Sequence, residues 1–206
     1  MTWIKICGIT NLEDGLKAAS LGVDALGFVF APSPRSVVPD TAKKIIQALP
    51  PGLLKVGVFV NEAWGEVQRL AEYCRLSVLQ FHGEESLEYC QKFLHPVVKA
   101  IRIRDSESLK EMEGYHGLSL LLDTYSPGQA GGTGKSFPWE VAVIAKEKRD
   151  FILSGGLSPL NVGEAVKKVK PWGVDASSGV ESSSGKKDLL KMEEFVREVR
   201  KADETT

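Results

Sequence analysis

Eight short apolar runs, each followed by a stretch of helical character, recur from one end of the chain to the other. This alternation constrains the fold more than any single motif, because strands joined through crossover helices pair in parallel. Strands are expected at Trp3–Cys7, Asp24–Phe30, Leu54–Val60, Ser77–Phe81, Val97–Ile103, Leu118–Asp123, Phe151–Leu153 and Gly173–Ala176. Helices are expected near Leu12–Ser20, Asp40–Leu49, Glu62–Cys74 and Glu85–Phe93, then after Asp105, from Pro138, over Pro159–Lys168 and over Lys187–Lys201. Thr10 or Asn11, Asn61, and Asp105 or Ser106 are placed to cap three of them. The strands are apolar almost throughout, as strands buried on both faces are. An open doubly wound sheet and a closed (β/α)8 barrel both satisfy these rules, and the count of eight favours the barrel. About 250 residues is typical for that barrel, so a chain of 206 residues implies short loops and trimmed helices. One barrel domain over residues 1–206 is predicted, with a frayed polar tail from about Lys201.

A net charge of −1 gives no field that would favour nucleic acid or an anionic membrane. No apolar run is long enough to span a bilayer, and the start of the chain lacks the pattern of a signal peptide. Cys7, Cys74 and Cys90 are far apart and form no CxxC pair, which predicts reduced thiols in a cytoplasmic protein and no zinc site. Cys74 and Cys90 fall on helices and read as packing residues.

In a barrel of this kind the working residues lie where strands end and helices begin. That rule selects Cys7, Arg35, His82, Asp123, Gly155, Gly156, Ser177, Ser178 and Gly179. The thiol of Cys7 ends the first strand, where Gly8 breaks it, and a ligand can reach a thiol there. Gly155-Gly156 and Ser177-Ser178-Gly179 follow the last two strands, the usual phosphate end of such barrels. Glycine there also serves tight turns, but it leaves backbone N–H groups open to an anion. Asp123 can act as a general acid or bond to its own loop. Arg35 can clamp a carboxylate or phosphate in a two-pronged contact or lie at the surface. His82 can contact substrate and move protons, or orient its loop. Gly131, Gly132, Thr133 and Gly134 lie in the longest loop, which can serve as a lid or as a connector. His95 and His116 border strand starts, on the opposite face. Lys5 points the same way as Cys7 in its strand and needs a partner if buried; Asp175, on the neighbouring eighth strand, is the expected one.

Six segments in order, KICGIT, SPRSV, QFHG, LLD with GGTG, SGGL and DASSGVE, resemble the phosphoribosylanthranilate isomerase family of tryptophan biosynthesis. The resemblance covers nearly the whole chain. It implies a single (β/α)8 barrel with no metal or organic cofactor, and a small phosphosugar as substrate. The implied reaction is the Amadori rearrangement of N-(5-phosphoribosyl)anthranilate to 1-(2-carboxyphenylamino)-1-deoxyribulose 5-phosphate. By the same resemblance Cys7 is the general base, Asp123 the general acid, and Arg35 the contact for the anthranilate carboxylate. Two departures, Pro138 before Trp139 and Phe81 before His82, leave these positions untouched.

Three other readings compete. The isomerase of histidine biosynthesis would place an aspartate where this chain has Cys7. Indole-glycerol-phosphate synthase would need catalytic lysines inside the barrel, and Lys5 and Lys99 lack its motifs. A phosphate-binding barrel without catalysis would keep the glycines but has no need of Cys7 and Asp123 together. No nucleic-acid or membrane partner is expected, and either a monomer or a homodimer fits.

Overall fold

The computed structural model describes residues 1–124 and 138–205. Eight parallel strands close into a barrel in chain order, with β1 (Trp3–Cys7) bonded to both β2 (Ala25–Val29) and β8 (Gly173–Ala176). Between them run β3 (Leu54–Phe59), β4 (Val78–Phe81), β5 (Val97–Ile103), β6 (Ser119–Thr124) and β7 (Ile152–Leu153). Around the barrel lie α1 (Leu12–Ser20), α2 (Pro39–Ala48), α3 (Trp64–Cys74), α4 (Leu87–Cys90), α5 (Trp139–Lys148), α6 (Val162–Val169) and α7 (Leu189–Asp203). Helix economy is greatest after β4 and β5: α4 is a single turn, and the next connection is the 3-10 helix Ser106–Tyr115.

Strand alternation sorts the side chains into two cores. Outward residues such as Ile4, Leu26, Phe28, Phe59, Phe81, Leu122 and Val174 pack against the helices. Inward, Ala25, Val56, Val78, Val98, Ala100, Leu121 and Ile152 form an apolar floor closed by Trp3. Above this floor the interior turns polar, with Lys5, Gln80, Asp123, Ser154 and Asp175 all buried. Alternation also turns Lys99 outward, where its ammonium donates to the Gly83 carbonyl and the Glu85 carboxylate. Lys99 is therefore no part of the barrel interior.

Asn11 caps α1 by accepting from the Asp14 amide, and Asp105 and Ser108 form a reciprocal cap on the 3-10 helix. Asn61 does not cap α3: it adopts a left-handed φ of 51°, and its side chain accepts from the Glu84 amide. Asp188, not singled out in the sequence, caps α7. The tail expected from Lys201 starts later. Helix α7 continues to Asp203, whose carboxylate accepts from the amide and hydroxyl of Thr2. This contact, with Arg200 donating to the Thr2 carbonyl, ties the last helix to the first strand.

Candidate active site

The polar upper layer opens into one cavity lined by Cys7, Arg35, Gln80, His82, Asp123, Ser154, Asp175 and Ser177, with Val29, Ala31, Pro32, Ser33, Val58 and Val60 completing its wall. The lining comes from six strands, β1, β2, β3, β4, β6 and β8, and from the loops after β2, β3, β4, β7 and β8, the end of the barrel where strands give way to helices.

Cys7 needs an absence to fit. A Cβ on Gly27, its register partner on β2, would come within 2.6 Å of the Cys7 sulfur. The glycine leaves the thiol its space. Lys5 lies below, its ammonium 2.9 Å from Asp175, with both side chains almost wholly buried. Burial opposes the Lys5 charge, but Asp175 and Cys7 together hold the ammonium above its ordinary pKa. Cys7 responds in the opposite sense to the one needed for a resting thiolate. Burial pushes its thiol up, Lys5 pulls it down, Asp175 pushes it up again, and burial prevails. The nearby Lys5 charge therefore does not by itself make Cys7 a thiolate, because burial outweighs it and Asp175 offsets part of it.

Asp123 stands at the end of β6 with both oxygens engaged. One accepts from the Thr124 amide at 2.8 Å, and the other lies 3.0 Å from His82 Nε2. His82 Nδ1 is in turn 3.2 Å from the Gln80 side-chain amide, and Arg102 donates to the His82 carbonyl. Gln80 was not selected from the sequence; it could have been found two residues before His82 on the same strand face.

Arg35 enters from the loop after β2 and is held rather than free. Its Nε and Nη2 each lie 2.8 Å from one oxygen of Glu181. In the loop after β7, Gly155 and Gly156 both have left-handed φ, 85° and 65°. Gly179 passes so close to the Leu157 carbonyl that a Cβ would come within 2.0 Å. Ser178–Val180 is a single 3-10 turn, with Ser177 before it lining the cavity. Gly131, Gly132, Thr133 and Gly134 lie outside the described residues. His95 and His116 border a surface depression beside Pro96 and Gly117, among the strand starts. Among the described residues no three His, Cys, Asp or Glu side chains gather as a metal site, and no helix is long and apolar enough to cross a membrane. All three cysteines are unpaired and buried.

The geometry can be set beside known proteins. The family model described as N-(5'-phosphoribosyl)anthranilate (PRA) isomerase matches residues 4–198. A protein of that name from Pelobacter propionicus is 48% identical over 198 residues, 96% of this chain and 95% of its own length. One from Geobacter sp. strain M21 is 50% identical, covering 98% of this chain and 99% of its own. The crystal structure of the Thermotoga maritima enzyme aligns with a TM-score of 0.92 at 40% identity, over 98% of this chain and 100% of that one. A second structure with the same enzyme name, in complex with reduced 1-(o-carboxyphenylamino)-1-deoxyribulose 5-phosphate, gives a TM-score of 0.89 at 38% identity, over 98% of this chain and 100% of that one. This chain belongs to the N-(5'-phosphoribosyl)anthranilate isomerase family.

Proposed function

We propose that this chain isomerises N-(5-phosphoribosyl)anthranilate by general acid–base catalysis, with Asp123 as acid and Cys7 as base. The observation that carries the assignment is that both side chains line one cavity whose rim bears Arg35 and Ser177. The phosphate is held by the loops after β7 and β8, where Gly155 and Gly156 turn left-handed and Gly179 leaves no room for a Cβ, the kind of backbone that offers N–H groups to an anion. Arg35 takes the anthranilate carboxylate. Binding at the two ends supplies orientation at the reacting carbons.

Asp123 protonates the ribose ring oxygen, the furanose opens, and the nitrogen becomes an iminium. His82 Nε2 lies 3.0 Å from that carboxyl and orients it. Cys7 then removes the proton from C2, and the resulting enolamine ketonises to the aminoketose. A buried thiol is a poor base in the empty site. The iminium places a new positive charge in that site, and a neighbouring cation favours the thiolate. The cation weakens the thiolate as a base but raises its population, so the form that takes the C2 proton is favoured when that carbon has become acidic. The proposed partner is this small phosphosugar, in the cytoplasm, with the enzyme a monomer or homodimer. A related structure is described as monomers generated from a dimeric Thermotoga maritima enzyme.

The test follows loss of phosphoribosylanthranilate fluorescence with wild type, Cys7→Ser and Asp123→Asn. Both variants are expected to lose most of kcat while still binding the reduced product analogue. Full activity in Cys7→Ser would remove Cys7 as the base. A wild type that binds the analogue but turns nothing over would support a binding barrel.

A further inference from the structure

Arg35 and its surroundings contain more charge than a carboxylate clamp requires. Glu181, buried at the start of the strand Glu181–Ser183, meets two cations. One is Arg35, bonded to both of its oxygens. The other is Lys187, whose Nζ lies 2.8 Å from Glu181 Oε1 and 3.2 Å from the Ser177 carbonyl. Lys187 is 4% exposed, an ammonium in a place where lysine is rare unless paired. Its strand, Lys186–Lys187, pairs with Glu181–Ser183 in a hairpin after β8. That hairpin is anchored on three sides. Thr10 donates to the Gly185 carbonyl, Lys187 donates its amide to Asp14, and Lys191 donates to the Glu181 carbonyl.

The Arg35 stem is seated with equal care. A Cβ on Gly8 would come within 2.8 Å of Arg35 Cδ and 3.2 Å of Ser177 Oγ. Among the described residues Arg35 Nη1 has no hydrogen-bond acceptor, while Nε and Nη2 are both taken. A guanidinium held by two of its nitrogens is fixed in plane and direction, so its remaining N–H groups are aimed before a ligand arrives. Glu181 would also neutralise Arg35 if it faced that cation alone. Lys187 prevents this by drawing on the same carboxylate. Glu181 stays ionised in this setting: burial pushes its carboxyl up, but Arg35 and Lys187 hold it below the ordinary value.

We infer that Glu181 and Lys187 are positioning residues which aim Arg35 at the substrate carboxylate and keep its charge available, and which tie that subsite to the phosphate loop through Ser177. The inference rests on Arg35 as the carboxylate contact. It adds two residues that touch no reacting atom and predicts a specificity effect from each.

The experiment compares two probes by calorimetric titration. One is reduced 1-(o-carboxyphenylamino)-1-deoxyribulose 5-phosphate; the other is its counterpart made from aniline, which lacks the carboxylate. Wild type, Arg35→Met, Glu181→Gln and Lys187→Met are titrated with each. The readout is the preference for the carboxylated probe, which a general loss of structure would not change. Glu181→Gln and Lys187→Met are expected to lose roughly 10- to 100-fold of that preference, the effect of one charge-assisted contact. Affinity for the aniline probe is expected to hold. If Arg35→Met loses the preference while Glu181→Gln and Lys187→Met keep or strengthen it, the positioning role is overturned and Arg35 stands as the contact. If Arg35→Met keeps the preference, the Arg35 reading itself fails, and the inference with it. Should Glu181→Gln not fold, Lys187→Met decides alone, because its backbone amide still donates to Asp14 and its hairpin pairing is unchanged.

Discussion

Replacing Asp175 by alanine leaves the Lys5 ammonium at the centre of the barrel without its partner. The two groups lie 2.9 Å apart, and their side chains are 1% and 6% exposed. At an effective dielectric of about 20 their attraction is on the order of 6 kcal/mol, offset in the intact protein by the desolvation of both ions. Removing one partner forfeits the attraction and leaves the other desolvated, a loss of about 3–5 kcal/mol. For a chain of this size that corresponds to a fall in melting temperature of roughly 6–20 °C. Urea unfolding and calorimetry at neutral pH measure it. Lys5→Met combined with Asp175→Leu should recover most of the loss, since an apolar pair of similar volume needs no solvation. The pH dependence follows from the sign of the Lys5 shift. The folded value is raised, so the pair's contribution is fully present below the ordinary lysine pKa of about 10.4. It is lost as pH rises through the higher folded value. In Asp175→Ala only Cys7 is left to oppose burial at Lys5, and the penalty shrinks toward alkaline pH as the ammonium sheds its proton. A loss below about 1 kcal/mol, the range of exposed pairs, would refute the reasoning. So would a double variant no more stable than the single one.

Cys7 in the free enzyme is expected to react with iodoacetamide at a rate still rising above the ordinary thiol pKa of about 8.5; Lys5→Met should move the midpoint further up, and Asp175→Asn should move it down. Gly27→Ala places a Cβ within 2.6 Å of the Cys7 sulfur, so kcat should fall at least about tenfold as the thiol is displaced, with phosphate-end binding retained in product titrations. Gly179→Ala sets a Cβ against the Leu157 backbone carbonyl; the loop must shift, and KM should rise together with the Kd for inorganic phosphate.

The barrel was legible because its signal repeats: eight apolar runs and eight turns each restate the same periodicity. The cap on α1 was legible for a local reason, Asn11 three residues before Asp14. Where readings missed, a distant group had overridden the local pattern. Asn61 resembles a cap, but Gly83 and Glu84 press against it from the next loop, and it turns left-handed instead. The tail past Lys201 looks polar enough to fray, yet Asp203 is held by Thr2, 201 residues away in sequence. In the cavity, Cys7 and Asp123 stand where strand ends alone would put them. Of the groups around them, the Lys5–Asp175 pair follows from strand order, but Gln80, Glu181 and Lys187 do not. Lys187 lies on a short hairpin with no local mark, and only the closed fold brings it to Glu181 and Arg35. The Cys7 shift is illegible for the same reason, since it depends first on how deeply the closed fold buries the thiol and then on the Lys5 and Asp175 charges beside it.

The contact between Thr2 and Asp203 gives the ring no privileged starting point. The first strand and the last helix meet on the face from which the strands enter, away from the cavity at the strands' exits. A short peptide bridging them would close the backbone into a circle at little entropic cost. New ends could then be opened in any of the turns that lead into a strand, such as the exposed Pro50–Gly52 segment. Each such rearranged chain would present the same thiol, carboxylate and arginine at the same mouth, although it would be synthesised in a different order.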